Sequence, residues 1–289
     1  MAIRSEMIVF ANGVELCAES FGERGDPAIL LIMGSSASMD WWEAEFCERL
    51  AAAGRHVIRY DHRDTGRSVT YPAGAPGYDF DDLVDDAVGL LEVLVAGPAH
   101  VAGMSMGGAI AQVIALAHPE RVTSLTLIST SPVAYDGPEL PSMSEGTGAR
   151  FAAAPEPDLS DDEEVIDYLE HLARASASPA RPFDSIDFRR LAACILARST
   201  DIEATLKNHD LISGGPLPSK PLAELDVPTL VVHGEDDPVL PFPHGQALAS
   251  EIPGARMLAL GETGHDLPRH SWDQLIPAIV ELTSNRAAA

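Results

Sequence analysis

Six short apolar runs, spaced along the chain and separated by amphipathic stretches, constrain its fold more than any other feature. They are "AILLIM" at 28–33, "HVIRY" at 56–60, "AHVAG" at 99–103, "VTSLTLIS" at 122–129, "PTLVVHG" at 228–234 and "ARMLALG" at 255–261. Continuous apolar character over so few residues is the mark of a strand buried on both faces. Between the runs, apolar residues recur at three and four, predicting helices over 40–53, 79–95, 106–118, 243–251 and 271–284. Strand alternating with helix requires right-handed crossovers and a mainly parallel sheet with helices on both faces, an α/β fold. The first residues differ: "MIVF", the turn Asn12-Gly13 and "VELCAESFG" read as an antiparallel pair at the sheet's start.

One segment breaks the rhythm. Between 132 and 221 no strand-like run occurs, and "EPDLSDDEEVIDYLEHLARAS" and "FDSIDFRRLAACILARS" read as helices punctuated by Pro and Gly. A structureless loop of that length does not suit a compact domain. The expectation is a helical cap over 133–220, inserted into a core domain made of 1–132 and 221–289. The acidic run 158–164 lacks EF-hand spacing and reads as a carboxylate-rich helix start.

A single serine stands at the corner of "VAGMSMGGAIAQVIAL", where a strand gives way to a helix. The G-x-S-x-G spacing has a mechanical reason: a sharp strand-to-helix turn strains the serine backbone, and only small neighbours let the chain pass. Ser105 is thereby presented at the carboxyl edge of the sheet as a nucleophile. A hydroxyl is weakly nucleophilic at neutral pH, so a base and a group that orients the base must also be supplied. In such an arrangement the order is serine, acid, histidine. "VVHGEDDPVLP" follows a late strand and offers Asp237 as the acid, with Asp236 as the alternative. "GETGHDLP" then places His265 in a loop at the same edge, with His270 as the alternative. Donors for a developing oxyanion are expected from the backbone N–H groups of Met106 and Ser35, with Gly34 beside them. Trp41, Trp42, Met104 and Met143 are candidates to line an apolar pocket, and core packing is the competing expectation for each.

Charge narrows the partners. Nineteen Lys and Arg against 44 Asp and Glu give a formal net charge of −25, which would repel nucleic acid and anionic membrane surfaces. No apolar run approaches the roughly 18 residues of a membrane span, and the opening residues carry no secretory pattern. Cys17, Cys47 and Cys194 show no C-x-x-C spacing, so neither a metal site nor a disulfide framework is expected. The expected setting is a reducing cytoplasm. The expected partner is a small-molecule ester, and a homo-oligomer is left open.

Taken together, Gly34-Ser35, "DHRDTGRS" at 61–68, "GMSMGG", "HGEDDPVLP" and "GETGHDLP" resemble the α/β-hydrolase superfamily across nearly the whole chain. "LLIMGSSASMDWW" with "VIRYDHRDTGRS" looks most like the bacterial branch that includes aclacinomycin methylesterase and small carboxylesterases. The resemblance implies acylation of Ser105, proton transfer by His265, orientation of the imidazole by Asp237, and hydrolysis of the acyl-enzyme by water, with no cofactor. Two departures from the wider family, Met33 before Gly34 and Asp64 in place of a glycine, are shared with that branch. Asp61, Arg63, Asp64 and Arg67 are expected to form a structural charge network beside the site. A serine at 105 argues against the aspartate nucleophile of epoxide hydrolases and dehalogenases. Perhydrolases, lactonases, carbon–carbon hydrolases and ligand receptors with a slow triad share the framework and remain as alternatives.

Overall fold

The structure, a computed structural model, describes residues 4–214, 218 and 220–284. Residues 1–3, 215–217, 219 and 285–289 lie outside the described residues, 215–217 and 219 falling within the expected insertion.

Among the described residues, eight strands form one sheet in the order β1-β2-β4-β3-β5-β6-β7-β8. They are β1 (Arg4–Ala11), β2 (Val14–Phe21), β3 (Ala28–Ile32), β4 (His56–Tyr60), β5 (Ala99–Met104), β6 (Val122–Ile128), β7 (Thr229–Gly234) and β8 (Arg256–Leu260). The β1–β2 hairpin turns at Asn12 and Gly13, both with positive φ, and β2 continues antiparallel to β4. From β4 to β8 every pairing is parallel.

The central strands have no solvent face because consecutive side chains feed two cores. Leu30 and Ile32 point into the layer built with α2 (Phe80–Leu94), α3 (Met106–Ala117) and α8 (Pro243–Glu251). Ile29 and Leu31 point into the layer built with α1 (Ala44–Ala52) and α9 (Trp272–Ser284). Each such side chain contributes about 1.5–3 kcal/mol on burial. β8 departs from the expectation of two buried faces. It is the edge strand, paired on one side alone, by β7, and Arg256 and Met257 are exposed.

Local chemistry sets the helix bounds. The Asp79 carboxylate accepts from the Asp81 and Asp82 amides, and Asp82 accepts from the Asp79 amide, so α2 starts at Phe80. The helix expected from residue 40 instead begins as a 3₁₀ turn, Met39–Trp41, and α1 starts only at Ala44. The buried Arg59 guanidinium takes the carbonyls of Met39 and Trp42, and Asp61 accepts from the Met39 amide, holding this stretch as a loop. Likewise 269–271 forms a 3₁₀ turn before α9.

Between β6 and β7 the described residues form four α-helices, α4 (Glu145–Ala152), α5 (Asp162–Ser176), α6 (Ser185–Arg198) and α7 (Ile202–Lys207). α5 and α6 share a small apolar cluster of Val165, Ile166, Leu169 and Ala192. Their tie to the sheet is polar: Arg198 at the end of α6 pairs with the fully buried Asp61 and with Asp40. Thr205 donates to the Asp64 carbonyl, and Asn208 donates to the Asp64 carboxylate. The expected network among Asp61, Arg63, Asp64 and Arg67 is therefore not mutual. Arg63 pairs with Asp86 of α2, Arg67 with Glu6 of β1, and the two aspartates reach the inserted helices instead. Among the described residues, no helix is long and apolar enough to cross a membrane.

Candidate active site

Ser105 is the pivot between β5 and α3, with φ 53° and ψ −119°, a sparsely populated conformation for a residue with a side chain. The surroundings enforce it. The Ser105 amide donates to the Ile128 carbonyl of β6, and its carbonyl accepts from Gly108, Ala109 and the Thr130 hydroxyl. The flanking glycines are needed for close approach. A Cβ on Gly103 would lie 2.1 Å from the Gly107 carbonyl oxygen, and one on Gly107 would lie 2.2 Å from that of Ile32. The G-x-S-x-G spacing is thus a packing requirement at the elbow where β5, α3 and the loop after β3 converge.

Asp237 and His265 come together beyond β7 and β8. The His265 Nδ1 lies 2.8 Å from Asp237 Oδ2, and Asp237 Oδ1 accepts from the amides of Val239 and Leu240, each at 2.9 Å. Asp237 is buried and fully bonded, so its carboxylate is held in one orientation. Asp236, the alternative acid, points elsewhere and accepts from the Ser178 hydroxyl at 2.6 Å. His270, the alternative base, stands in the 3₁₀ turn before α9 on the cavity wall. The His265 loop is itself gripped from the segment between β6 and β7: the His265 amide donates to the Ser176 carbonyl at the end of α5. Arg181 pairs with Asp266 beside it, a carboxyl that burial pushes up.

A second histidine, His233 on β7, flanks the acid. It is fully buried, its Nε2 donates to the Leu240 carbonyl at 2.7 Å, and it lies 3.4 Å from Asp237 Oδ2. Burial pushes its pKa down and keeps it neutral, as expected for a histidine packed within the sheet edge.

Ser105 and His265 line one cavity of about 480 Å³, within the range of small-molecule sites. Gly34, Ser35, Trp41 and Met104 line it as well. A Cβ on Gly34 would come within 3.8 Å of the Ser105 hydroxyl oxygen, so the loop after β3 runs directly past the serine. The Ser35 amide finds no acceptor among the described residues. The Met106 amide is at the first position of α3, where helix geometry supplies no partner. The Met106 side chain packs into the core and not into the cavity.

Two expectations for the wall fail. Trp42 is 1% exposed and sits in the lower core against Phe46, with ring centroids 5.7 Å apart. Adjacent residues in a tight turn face opposite ways, so only Trp41 reaches the cavity. Met143 is exposed and takes no part in the wall. Leu169, Leu172, Phe183, Phe188 and Leu206, from the segment between β6 and β7, add to the apolar wall. Sequence reasoning missed these residues because they look like any amphipathic helix face until the helices are placed. Among the described residues no cluster of ligating side chains could hold a metal.

Comparison with known proteins agrees with the fold. The family description "alpha/beta hydrolase fold" matches residues 27–268. Rhodomycin D methylesterase DauP of Streptomyces sp. (strain C5) is 34% identical over 286 residues, covering 94% of this chain and 96% of that protein. Rhodomycin D methylesterase DnrP of Streptomyces peucetius is also 34% identical, covering 92% and 94%. Among solved structures, a bromoperoxidase from Bacillus anthracis superposes with a TM-score of 0.76 at 22% identity, covering 97% of this chain and 100% of that one, which speaks for the fold alone. The strand order, the serine elbow and these similarities together make the chain a member of the α/β-hydrolase fold family.

Proposed function

We propose that the protein is a serine carboxylic-ester hydrolase acting on small or medium apolar esters, methyl esters among them. The observation that carries this reading is the strained, solvent-facing Ser105 sharing one apolar cavity with a histidine whose Nδ1 is fixed by a buried carboxylate. The methylesterase relatives support the choice of ester over other acyl substrates.

In this reading Ser105 Oγ attacks the ester carbonyl carbon while His265 Nε2 takes the hydroxyl proton. Asp237 holds Nδ1–H and stabilises the imidazolium that forms. The carbonyl oxygen becomes an oxyanion facing the Ser35 and Met106 amides. Collapse of the tetrahedral intermediate breaks the bond to the alcohol oxygen, which leaves with the proton from His265. Water, deprotonated by the same imidazole, then attacks the acyl-enzyme and releases the acid. The helices of 133–220 serve as a cap that supplies most of the apolar wall, and a small ester is the partner the cavity accepts.

The test is hydrolysis of p-nitrophenyl esters of increasing acyl length, and of a methyl ester, by the native protein and by Ser105→Ala. Turnover should fall by about 10³-fold or more in the variant with its melting temperature retained. Ester turnover that survives the substitution overturns the assignment.

A further inference from the structure

Two buried histidines outside the proposed triad hold the loop that carries Ser35. His62, in the loop after β4, donates from Nε2 to the Met33 carbonyl at 2.9 Å. His209, in the 3₁₀ turn after α7, accepts from the Ser36 amide on Nδ1 at 2.7 Å. The rings meet edge to face, with centroids 5.9 Å apart. The four residues 33–36 are thus gripped at both ends, one end by the sheet domain and the other by the inserted segment. Ser36 has a positive φ of 56°, a conformation that persists for a side-chain-bearing residue only when its surroundings impose it.

The bonds around His209 dictate its proton. Nδ1 accepts from an amide, so it is bare, and the single ring proton is on Nε2, which donates to the Arg63 carbonyl at 2.9 Å. A charged ring would set an N–H against the Ser36 N–H. Asp64 and Asp210 face the ring electrostatically, and His62 and Tyr78 pack on it. Burial outweighs the two carboxylates and pushes the ring's pKa down. His209 is held in turn by its neighbour: Asn208 donates to Asp64 and accepts from the Gly74 amide.

We propose that His209 is a positioning residue for the oxyanion loop, its neutral Nδ1 fixing the Ser36 amide and so the aim of the adjacent Ser35 N–H. The proposal rests on the ester-hydrolase reading of Ser105. It places the geometry of one oxyanion donor under the control of the inserted segment, since His209 follows α7 and not a sheet strand. A displacement of about 1 Å at such a donor costs on the order of 10²-fold in rate.

Two substitutions separate positioning from mere packing. His209→Asn can place an acceptor where Nδ1 was and gives up the bond to Arg63, whereas His209→Gln can place a donor where Nε2 was and gives up the bond to Ser36. The Gln variant should lose kcat by about 30- to 100-fold with KM changed less than about threefold, and the Asn variant should recover most of that loss. Equal losses in both variants, or losses that follow their melting temperatures, overturn the proposal. Proton-detected ¹⁵N spectra of the histidine rings, with hydrogen exchange of the Ser36 amide, give a readout independent of turnover. A bare Nδ1 and a slow Ser36 amide that turns fast in the Gln variant support the clamp even if no ester is cleaved, a result that would defeat only the esterase reading. A protonated Nδ1, or a Ser36 amide equally fast in both proteins, overturns it.

Discussion

Asp237→Asn tests the proposed triad more sharply than removal of the side chain, because the hydrogen bonds around Asp237 decide what an amide must do there. Oδ1 accepts from two backbone amides, Val239 and Leu240, and Oδ2 accepts from His265 Nδ1. An asparagine keeps its oxygen toward the two amides and turns its NH₂ toward His265. That NH₂ needs a bare Nδ1, which moves the imidazole proton to Nε2, the nitrogen that must take the proton from Ser105. The flipped amide would restore the working tautomer but set its NH₂ against two N–H donors. Losing those bonds at a buried site costs about 1–3 kcal/mol each, or about 2–6 kcal/mol together. At 1.36 kcal/mol per decade, kcat should fall by about 30-fold to about 3 × 10⁴-fold. The same exchange in serine proteases lowers kcat by about 10⁴-fold. The assay is kcat on the best p-nitrophenyl ester, with melting temperature as the control for folding and Asp236→Asn as the companion variant. Among the described residues, Asp236 bonds to the Ser178 hydroxyl and, through its amide, to the Thr263 carbonyl, so that variant should stay within about threefold of the native protein. An Asp237→Asn enzyme within tenfold of native, or equal damage from Asp236→Asn, would refute the reasoning.

Two further outcomes follow from groups away from the chemistry. Arg198→Met removes the cation that faces the fully buried Asp61 carboxylate and leaves it with the Met39 and Arg67 amides alone; stability in urea should drop by about 3 kcal/mol, toward the lower end for a broken buried pair, and Asp61→Asn in the same chain should cost much less than its effect alone. His100 on β5 bonds the Ser124 hydroxyl, and burial holds its pKa down to about 4. The unfolded chain, with a histidine pKa of about 6.5, binds that proton first, so this histidine's contribution to stability is flat above pH 6.5 and is lost as pH falls toward 4. Between pH 6.5 and 4.5 the native protein should lose about 2 kcal/mol more than His100→Gln; parallel stability curves for the two proteins would contradict this.

Most of the sheet was legible because each strand fills two cores at once, leaving an unbroken apolar run. β4 and α8 have the predicted bounds, and the other strands differ by a few residues at their ends. β8 was misread since "ARMLALG" has the same apolar look, while its edge position is a property of the whole sheet. The serine elbow was legible for a similar reason: no side chain larger than hydrogen fits at Gly103 or Gly107. Choosing between Asp236 and Asp237 required the turn, where amides of Val239 and Leu240 select one carboxylate. The cavity wall was illegible, because Leu169 and Phe188 are read as packing residues until their helices are laid over Ser105. So was the role of "DHRDTGRS". Its charges suggest mutual pairing, yet Arg198 and Asn208, more than a hundred residues away in the chain, take two of them.

The measurement that tests the central claim most directly is covalent capture of the nucleophile. The native protein, treated with a fluorophosphonate and then digested for peptide mass mapping, should carry one adduct on the peptide containing Ser105, with ester hydrolysis lost in proportion to labelling. An adduct on another residue, or full loss of hydrolysis without modification of Ser105, would contradict the account.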